Sequence, residues 1–446
     1  MARSARLACA LLLLTVHACG GPGGGGDGGG GGDGGGAADG GPGGGDGGGG
    51  TCDAEPTEVT CVGMEGSWVA TRASNTPDTI SHSGSLAITA SGAVHIAFMD
   101  PPPDATSGEN IFVVERDGCG FTPAQALTDD PNQSAYPSLI ADGEDLHLAW
   151  NGRPDGGNND IFYATRAAGG SWADEVNLTS AVESGAGRHA YAPSLSLGPG
   201  GALAMAYLSG ADLEPGIGPG EVRFVELDGA ALAGEPITIL EAEGDGCFDV
   251  QALHDADGAV HVVATCGPAL SGDIHWASNR GGAWQSEVVP GGDGHADFSP
   301  RMALGPDGAV HLVWAAALPC AGGTCNTLQF ARLGEDGWSE PVSASQAGTP
   351  GDSIPTIAVT GDGTILIAFH RPDGQGQEDI FLTSSIDGAG FTAPCNLTRN
   401  PGAIEWNAGA LQIDPVTGAP HLVWEHILPG TDPLDVEVVH AELVLP

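Results

Sequence analysis

The chain has 446 residues, with 57 acidic against 13 basic side chains and a formal net charge of -44 at pH 7. This balance, without a single lysine, argues against nucleic acid as a partner, because phosphate binding needs clustered cations. The acidity is best explained as a solubilising surface.

Residues 1–19 have the features of a targeting segment. Leu7–Val16 is an apolar run too short to span a bilayer. It ends in V-H-A-C, which looks like a bacterial lipobox and would make Cys19 a lipid-carrying N-terminus. Ordinary secretion with a cut at the same bond is the alternative. We expect an exported protein anchored at the bacterial cell envelope, at the outer membrane or cell surface.

Residues 20–50 are mostly glycine, with Pro, Asp and Ala. A segment of this composition buries nothing, so it predicts a disordered tether of roughly 30 Å root-mean-square length. Such a tether holds a globular head clear of a membrane. Residues 51–446 are the predicted head domain, and we expect a monomer that meets the membrane through its lipid anchor only.

The head domain is built on a repeat. The segment G-A-V-H-L-V-W at Gly308–Trp314 has six near copies, spaced 50 to 57 residues apart. The fourth positions of the seven segments are His95, His147, Ala204, His261, His311, Leu366 and His421. A period of this size with only short strands inside it is typical of a β-propeller. We predict an all-β, seven-bladed propeller of four-stranded antiparallel blades; six blades with an irregular cap is the alternative.

Blade two shows the predicted order of strands. Its strands are Pro137–Ile140, Leu146–Trp150, Asp160–Thr165 and a fourth from Trp172 to Leu178, and blades five and six repeat the order. The last blade lacks a fourth strand. We expect the N-terminal segment Gly66–Ala73, which contains Trp68, to pair there with Val436–Leu443 and close the ring, because an open ring would leave exposed sheet edges.

The ten cysteines include Cys9 in the targeting segment and Cys19 at its end. An even number then remains in an exported chain, which indicates disulfides. We expect Cys320 to bridge Cys325 and Cys247 to bridge Cys266. Three pairings stay open for four others: Cys52, Cys61, Cys119 and Cys395. No C-x-x-C pair occurs, so we expect no metal site of the zinc type.

Five histidines occupy equivalent repeat positions: His95, His147, His261, His311 and His421. Ligands of one metal must converge, whereas these positions point into separate seams between blades. Ala204 and Leu366 fill the same position in two repeats, so it accepts apolar atoms. We interpret the five as packed, hydrogen-bonded structural residues.

Aromatic residues open the predicted fourth strands, after turns rich in Ser, Asp and Gly. S-S-I-D-G-A-G-F ends at Phe391, and A-S-N-R-G-G-A-W ends at Trp284. Here the chain resembles the sialidase-like propellers with BNR repeats, whose Asp-box reads S-x-D-x-G-x-x-W. Ser385, Asp387 and Phe391 come nearest, with the glycine displaced by one position. In that family the box is a folding element, so the resemblance implies the fold more than an activity.

The resemblance would imply three arginines that hold a substrate carboxylate, a tyrosine nucleophile with a glutamate partner and an aspartate acid/base. Our candidates for such an enzyme are the residues nearest the propeller axis: Arg188, Arg301, Arg399, Tyr136 and Tyr191. No motif places a glutamate beside these tyrosines. An exo-sialidase-like glycoside hydrolase is therefore the alternative interpretation.

A ligand-binding mouth is the preferred interpretation. The segments that enter the first strands carry aromatic and acidic residues, and we select nine of them as ligand-binding candidates: Tyr136, Tyr191, Phe248, Asp249, Asp297, Phe298, Asp352, Glu405 and Trp406. Aromatic faces beside carboxylates suit sugars, and clustered oxygens suit Ca²⁺. We predict a non-catalytic binding module for glycan or a surface protein, with no cofactor required and Ca²⁺ as an option. An assembly scaffold without a small ligand is a third reading.

Overall fold

The computed structural model describes fourteen stretches of the chain: 57–58, 67–76, 79–101, 108–153, 156–211, 220–241, 246–268, 271–291, 294–320, 323–345, 351–372, 378–399, 403–428 and 435–444. Residues 1–19 and 20–50, for which we predict a targeting segment and a tether, lie outside these stretches, as do Cys52 and Cys61. No helix in the described part of the chain is long and apolar enough to cross a membrane.

The described chain consists almost entirely of antiparallel strands, which fall into repeats numbered here from the N-terminus. Repeat 1 contains His82–Ile88, Val94–Asp100 and Asn110–Asp117, with the short strands Gly120–Phe121 and Gln125–Ala126. Repeat 2 contains Ser134–Asp142, Asp145–Gly152, Asp160–Arg166 and Val176–Asn177. Repeat 3 contains His189–Gly198, Ala202–Gly210, Glu221–Leu227 and Ile237–Leu240.

The later repeats follow the same order. Repeat 4 contains Cys247–His254, Val260–Cys266, Asp273–Ser278 and Gln285–Val288. Repeat 5 contains Asp297–Leu304, Val310–Cys320, Gly323–Gly334, Gly337–Trp338 and Val342–Ser343. Repeat 6 contains Ser353–Val359, Ile365–Pro372, Glu378–Ser385 and Cys395–Asn396. Two short 3-10 helices, Ser184–Ala186 and Pro199–Gly201, lie in repeat 3.

Repeat 7 joins the two ends of the chain. It contains Ile404–Ile413, Pro420–Leu428, Asp435–Val444 and, from the N-terminal side, Ser67–Arg72. The last two strands pair antiparallel, and Thr57–Glu58 adds two residues at the outer edge. One parallel pair, between Glu378 and Ile404, joins repeats 6 and 7 into a nine-stranded sheet.

The second strands form the buried centre of each repeat. Val94–Asp100 and Val260–Cys266 are buried at every position, since packed sheets cover both of their faces. The apolar clusters lie between repeats: one combines Leu139 and Trp150 of repeat 2 with Met99 of repeat 1. Four-stranded antiparallel sheets that pack face to face in chain order are the β-propeller architecture.

A recurring hydrogen bond connects neighbouring first strands. A side chain of one repeat accepts from a backbone N–H of the next in five cases: Ser85 from Leu139, Ser138 from Leu195, Ser194 from Ala252, Gln251 from Met302 and Thr356 from Leu411. Between repeats 7 and 1 the direction is reversed, and Gln412 Nε2 donates to the Leu86 carbonyl over 2.6 Å. These bonds hold the first strands side by side.

The fourth strands are shorter than predicted. In repeat 2 the ladder is reduced to Val176–Asn177 and an isolated bridge at Trp172. In repeat 5 it is split into Gly337–Trp338 and Val342–Ser343, and Pro341 between them has no N–H to donate. An outer strand has one neighbour only, so little prevents such interruptions.

Candidate binding site

Each first strand contains one β-bulge, where its register with the second strand shifts. At each bulge a single residue has a positive φ, between 46° and 56°. These seven, called the bulge residues below, are Ser83, Tyr136, Ala192, Asp249, Ser299, Ile354 and Asn407. Seven equivalent strands therefore present seven side chains from the same unusual backbone geometry.

None of the bulge residues is a glycine. A left-handed conformation costs a residue with a Cβ atom about 1–2 kcal/mol, and glycine avoids this cost. The chain has 75 glycines and uses them at positive φ elsewhere, for example at Gly308, where φ is 78°. Retaining a side chain at all seven bulges, against this cost, indicates that these side chains are needed where they lie.

Two tyrosines meet at the second and third repeats. Tyr136 is 40% exposed, and its ring centre lies 5.3 Å from that of the buried Tyr191. Burial raises the pKa of both phenols, and the charge of Glu109 raises each further. Both hydroxyls therefore stay protonated at neutral pH; the Tyr136 side chain is partly exposed, whereas the Tyr191 hydroxyl is buried.

A hydrogen-bonded trio borders the tyrosines. Glu109 Oε1 lies 3.0 Å from His82 Nε2, and its Oε2 accepts from Gln133 Nε2 over 3.0 Å. Burial alone would lower the pKa of His82, but the bond to Glu109 and the surrounding carboxylate charges outweigh burial and raise it. At Glu109, burial acts to raise the pKa, but the hydrogen bond with His82 and the charge of His82 act against it, and the pKa is lowered overall. The pair places an imidazole and a carboxylate side by side next to the tyrosines.

Polar contacts also join bulge residues of other neighbouring repeats. The Asp249 carboxylate, which is exposed, lies 3.5 Å from Ser299 Oγ, and its charge acts on Tyr136. On the other side, Glu425 Oε1 accepts from the backbone N–H of Ser83 over 2.9 Å and from Asn407 Nδ2 over 2.8 Å. The charge of Arg153 acts on Tyr191 and lowers its pKa slightly against the other causes.

Several predicted ligand-binding acids are already bonded within the protein. Asp352 is fully buried, and Arg371 donates to both of its oxygens over 2.5 and 2.8 Å. Glu405 is also buried and accepts from Trp424 Nε1 over 2.6 Å, with His426 Nδ1 at 2.9 Å. These carboxylates position the inner ends of repeats 6 and 7.

The remaining predicted residues are mixed. Asp249 is exposed, whereas Asp297 is 4% exposed. Phe248 and Phe298 pack against the apolar clusters of their repeats. The Trp406 ring lies 4.5 Å from the His370 ring. Of the nine candidates, the structure brings Tyr136, Tyr191 and Asp249 within reach of one another. The others lie at or beside the first strands of repeats 4 to 7; Asp297, Asp352 and Glu405 are buried, and Phe248, Phe298 and Trp406 are half-buried.

The three candidate arginines have different surroundings. Arg188 donates to Glu183 over 3.2 Å, to Ser209 over 3.0 Å and to Glu221 over 2.5 Å. Arg301 Nη1 donates to the Pro300 carbonyl. Arg399 is exposed and has a positive φ of 44°. The Arg188 guanidinium is thus already balanced by two carboxylates before any substrate arrives.

Sequence reasoning missed His82, Glu109 and Gln133 and did not select Arg153 for the site. His82 precedes the bulge residue Ser83, so the repeat alignment could have found it. No motif in the sequence marks Glu109.

Both predicted disulfides are present. Cys247 is bonded to Cys266, and Cys320 to Cys325. Cys119 and Cys395 are also disulfide-bonded. The first bridge joins the first and second strands of repeat 4, beside Phe248 at the mouth.

The repeat histidines lie in the seams. His261 is buried, accepts from Trp276 Nε1 over 3.2 Å and lies 3.2 Å from Asp255. His147 bonds the Tyr163 hydroxyl, and His421 bonds His440. Within the described stretches, no group of three or more His, Cys, Asp or Glu residues is arranged to hold a metal ion.

No family model matches the chain, and no curated protein matches it. Among solved structures, it is similar to an ulvan lyase of polysaccharide lyase family PL25 bound to -[GlcA(1-4)Rha3S]-. The TM-score is 0.54 at 11% identity, over 86% of this chain and 94% of the lyase chain. At this identity the similarity shows the fold alone.

Two further structural neighbours have lower scores. A Dyadobacter fermentans protein of unknown function has a TM-score of 0.49 at 14% identity, over 71% of this chain and 96% of its own. A leech intramolecular trans-sialidase has a TM-score of 0.45 at 10% identity, over 83% of this chain and 91% of its own. Sialidases and a polysaccharide lyase are thus among the neighbours, but scores this low carry no argument beyond that.

Proposed function

We propose that the seven repeats form a closed, seven-bladed ring whose mouth binds a glycan without cleaving it. Three contacts between repeats 7 and 1 support closure. Ser83 N–H donates to Glu425, and Gln412 donates to the Leu86 carbonyl. A Cβ atom on Gly84 would lie 2.7 Å from Val423 Cγ1, so the two repeats pack closely enough to require glycine there.

The observation that carries the proposal is the retention of seven non-glycine bulge residues at positive φ. Their side chains are presented around one mouth at a cost in folding free energy. Side chains that served only to fill the centre of the ring would be expected to be enclosed. Tyr136 and Asp249 are instead exposed to solvent.

The mouth has the chemistry that sugars require. The exposed Tyr136 ring offers an apolar face for the C–H groups of a pyranose, and Tyr191 supports it from behind. Asp249 accepts hydrogen bonds from hydroxyls, while His82 and Arg153 donate them. The structural neighbour described as a polysaccharide lyase carries a glycan, which agrees with this ligand class.

Sialidase-type glycoside hydrolysis is the second candidate, and Glu109 favours it. That chemistry needs a glutamate beside a tyrosine nucleophile, and the Glu109 charge acts on both Tyr136 and Tyr191. Arg188 already pairs with two carboxylates of the protein, which argues against a site where three arginines hold the carboxylate of a substrate. Binding therefore ranks above catalysis.

We further propose that the protein is exported, anchored through Cys19 and held from the envelope by its glycine-rich segment. The support is the sequence of residues 1–50. A glycan presented outside the cell, or a surface protein that carries one, is the partner that suits this location.

A glycan array probed with the full chain tests the proposed function. The test variant is Tyr136→Gly, which suits the left-handed backbone, and the control is Ile386→Ala, at a residue 84% exposed in the turn after Ser385. We expect the wild type and Ile386→Ala to bind the same glycans and Tyr136→Gly to lose them. Release of sialic acid from a bound glycan would favour the hydrolase, and absence of any binding would refute the proposal.

A further inference from the structure

A second polar cluster lies where repeat 7 meets repeat 1. Residues 74–76 and 79–81 lie between the N-terminal strand Ser67–Arg72 and the first strand of repeat 1. On one side of this connection lies Asp100, at the end of the second strand of repeat 1; on the other lies Glu437, in the strand Asp435–Val444. Backbone bonds between Thr79, Ser81 and Val436 fix the connection between them.

Asp100 is 1% exposed, and only one of its oxygens is bonded. Oδ2 accepts from Ser81 Oγ over 2.9 Å and from Thr79 Oγ1 over 3.2 Å. Oδ1 is buried and has no hydrogen-bond partner in the described part of the chain. The hydroxyls thus orient the carboxylate and leave its second oxygen unsatisfied.

Glu437 repeats this pattern from the opposite side. It is 1% exposed; Oε2 accepts from Ser74 Oγ and from the Thr76 N–H, while Oε1 is buried with no partner among the described residues. Thr76 Oγ1 and Ser81 Oγ lie 2.7 Å apart, which links the two carboxylate networks. Two enclosed acids are therefore linked through one contact between hydroxyls, and each offers one unused oxygen.

The electrostatics of this pair are unfavourable. Both carboxyl groups are buried, and the charge of Glu437 acts on Asp100. Hydrogen bonds offset this in part at Asp100 Oδ2 and Glu437 Oε2, and they do not reach the other two oxygens. A buried, unsatisfied carboxylate oxygen costs about 1–3 kcal/mol or more, so two of them in one network call for a compensating positive charge.

We propose that a Ca²⁺ ion binds between Asp100 and Glu437, with Asp100 Oδ1 and Glu437 Oε1 as its carboxylate ligands. The cluster contains only oxygen donors, and hydroxyl, carbonyl and water oxygens complete the shell. Ca²⁺ accepts such irregular all-oxygen sets, whereas Mg²⁺ demands near-ideal octahedral geometry. The described residues contain no group of three or more His, Cys, Asp or Glu residues that could hold a metal ion. The proposed site has only two carboxylates and is therefore of a different kind.

The position of the ion gives it a structural role. Glu437 belongs to the strand that pairs with the N-terminal segment, and Asp100 belongs to the first complete repeat. An ion held by both ties the chain's last strand to its first repeat. Ca²⁺ is thus a clamp on the junction of the two ends, and Ser81 joins this site to His82 of the proposed glycan site.

Thermal unfolding and calorimetric titration of the full chain test the proposal, with CaCl₂, MgCl₂ or EDTA as the added reagent. The variants are Asp100→Asn, Glu437→Gln and, as a matched control, Asp117→Asn at an exposed aspartate of repeat 1. We expect Ca²⁺ to raise the Tm of the wild type by a few degrees over EDTA, and Mg²⁺ to raise it less.

Asp100→Asn and Glu437→Gln should each lower the Ca²⁺ affinity by about tenfold or more and remove the rise in Tm, while Asp117→Asn keeps both. In EDTA the two amide variants should unfold at or above the wild-type Tm, since they no longer bury a charge. Equal Tm values in Ca²⁺ and EDTA would show that protons alone neutralise the pair and would overturn the proposal. A wild-type response in Asp100→Asn would overturn it as well, by placing the ion elsewhere on the acidic surface.

Discussion

Trp68 and Leu443 are direct partners in an antiparallel ladder, although they come from opposite ends of the chain. Trp68 is 4% exposed and packs in an apolar cluster with Leu366 and Leu382 of repeat 6. The N-terminal strand therefore contributes both hydrogen bonds to repeat 7 and apolar surface to its neighbour. Folding of the last repeat depends on residues synthesised first.

Replacing Trp68 with Ala should therefore destabilise the protein strongly. Removing a buried tryptophan costs about 3–5 kcal/mol, from lost burial and the cavity left behind. Urea unfolding of the wild type and Trp68→Ala measures this loss, with Val416→Ala, at a residue 62% exposed, as the control. A change below about 1 kcal/mol in Trp68→Ala would contradict the pairing.

The left-handed geometry of the bulges predicts different effects on stability for two substitutions at Ala192, whose φ is 46°. Ala192→Gly should leave stability within about 0.5 kcal/mol, because relief of the backbone cost offsets the added freedom of the unfolded chain. Ala192→Val should lose about 2 kcal/mol, because a β-branched side chain is least compatible with positive φ. Equal stabilities of the two variants, from urea unfolding curves, would refute this geometry.

The sequence allowed the repeat, the second strands and two disulfides to be predicted, because each follows from local pattern and spacing. Pairing of Trp68 with the last strand was also predicted, from the aromatic residue and the missing fourth strand. The bulges were not, since positive φ is expected at glycine and here falls on Ser, Tyr, Ala, Asp, Ile and Asn. The hydrogen bonds of Asp352 with Arg371, and of Glu405 with Trp424 and His426, could not be predicted. They depend on which side chains of the neighbouring strand face these acids, and the repeat period does not show this.

His311 should make stability depend on pH. Burial, aided by the charge of Arg332, lowers the pKa of His311 from 6.5 to about 4. The unfolded chain takes up this proton first, so stability present above pH 6.5 is lost as the pH falls toward 4. In His311→Leu, the loss of stability between these pH values should be smaller by on the order of 2 kcal/mol. Leucine fits this position, because Leu366 is buried at the equivalent position in repeat 6.

Urea midpoints of the wild type and His311→Leu between pH 8 and pH 4 give the measurement. His95 and His370, whose pKa values are also lowered to about 4, keep part of the dependence in both proteins. Parallel curves for the two proteins over this range would disprove the assigned role.

The two disulfides should differ in their contribution to stability. Cys247 and Cys266 are 19 residues apart, and Cys320 and Cys325 only 5, so the first bridge restricts the unfolded chain more. Replacing both cysteines with serine should cost roughly 3 kcal/mol at the first bridge and roughly 2 kcal/mol at the second. Thermal unfolding of the two double variants should rank them in this order, and the reverse order would contradict the entropic argument.

The surface that carries the bulge residues is the proposed site of glycan binding. Isothermal titration calorimetry of an array-selected oligosaccharide with the full wild-type chain, Tyr136→Gly and Ile386→Ala tests this most directly. Loss of the stacking face should weaken binding about tenfold in Tyr136→Gly, with folding intact and Ile386→Ala unchanged. Equal affinities of the wild type and Tyr136→Gly would place the glycan elsewhere and contradict the account.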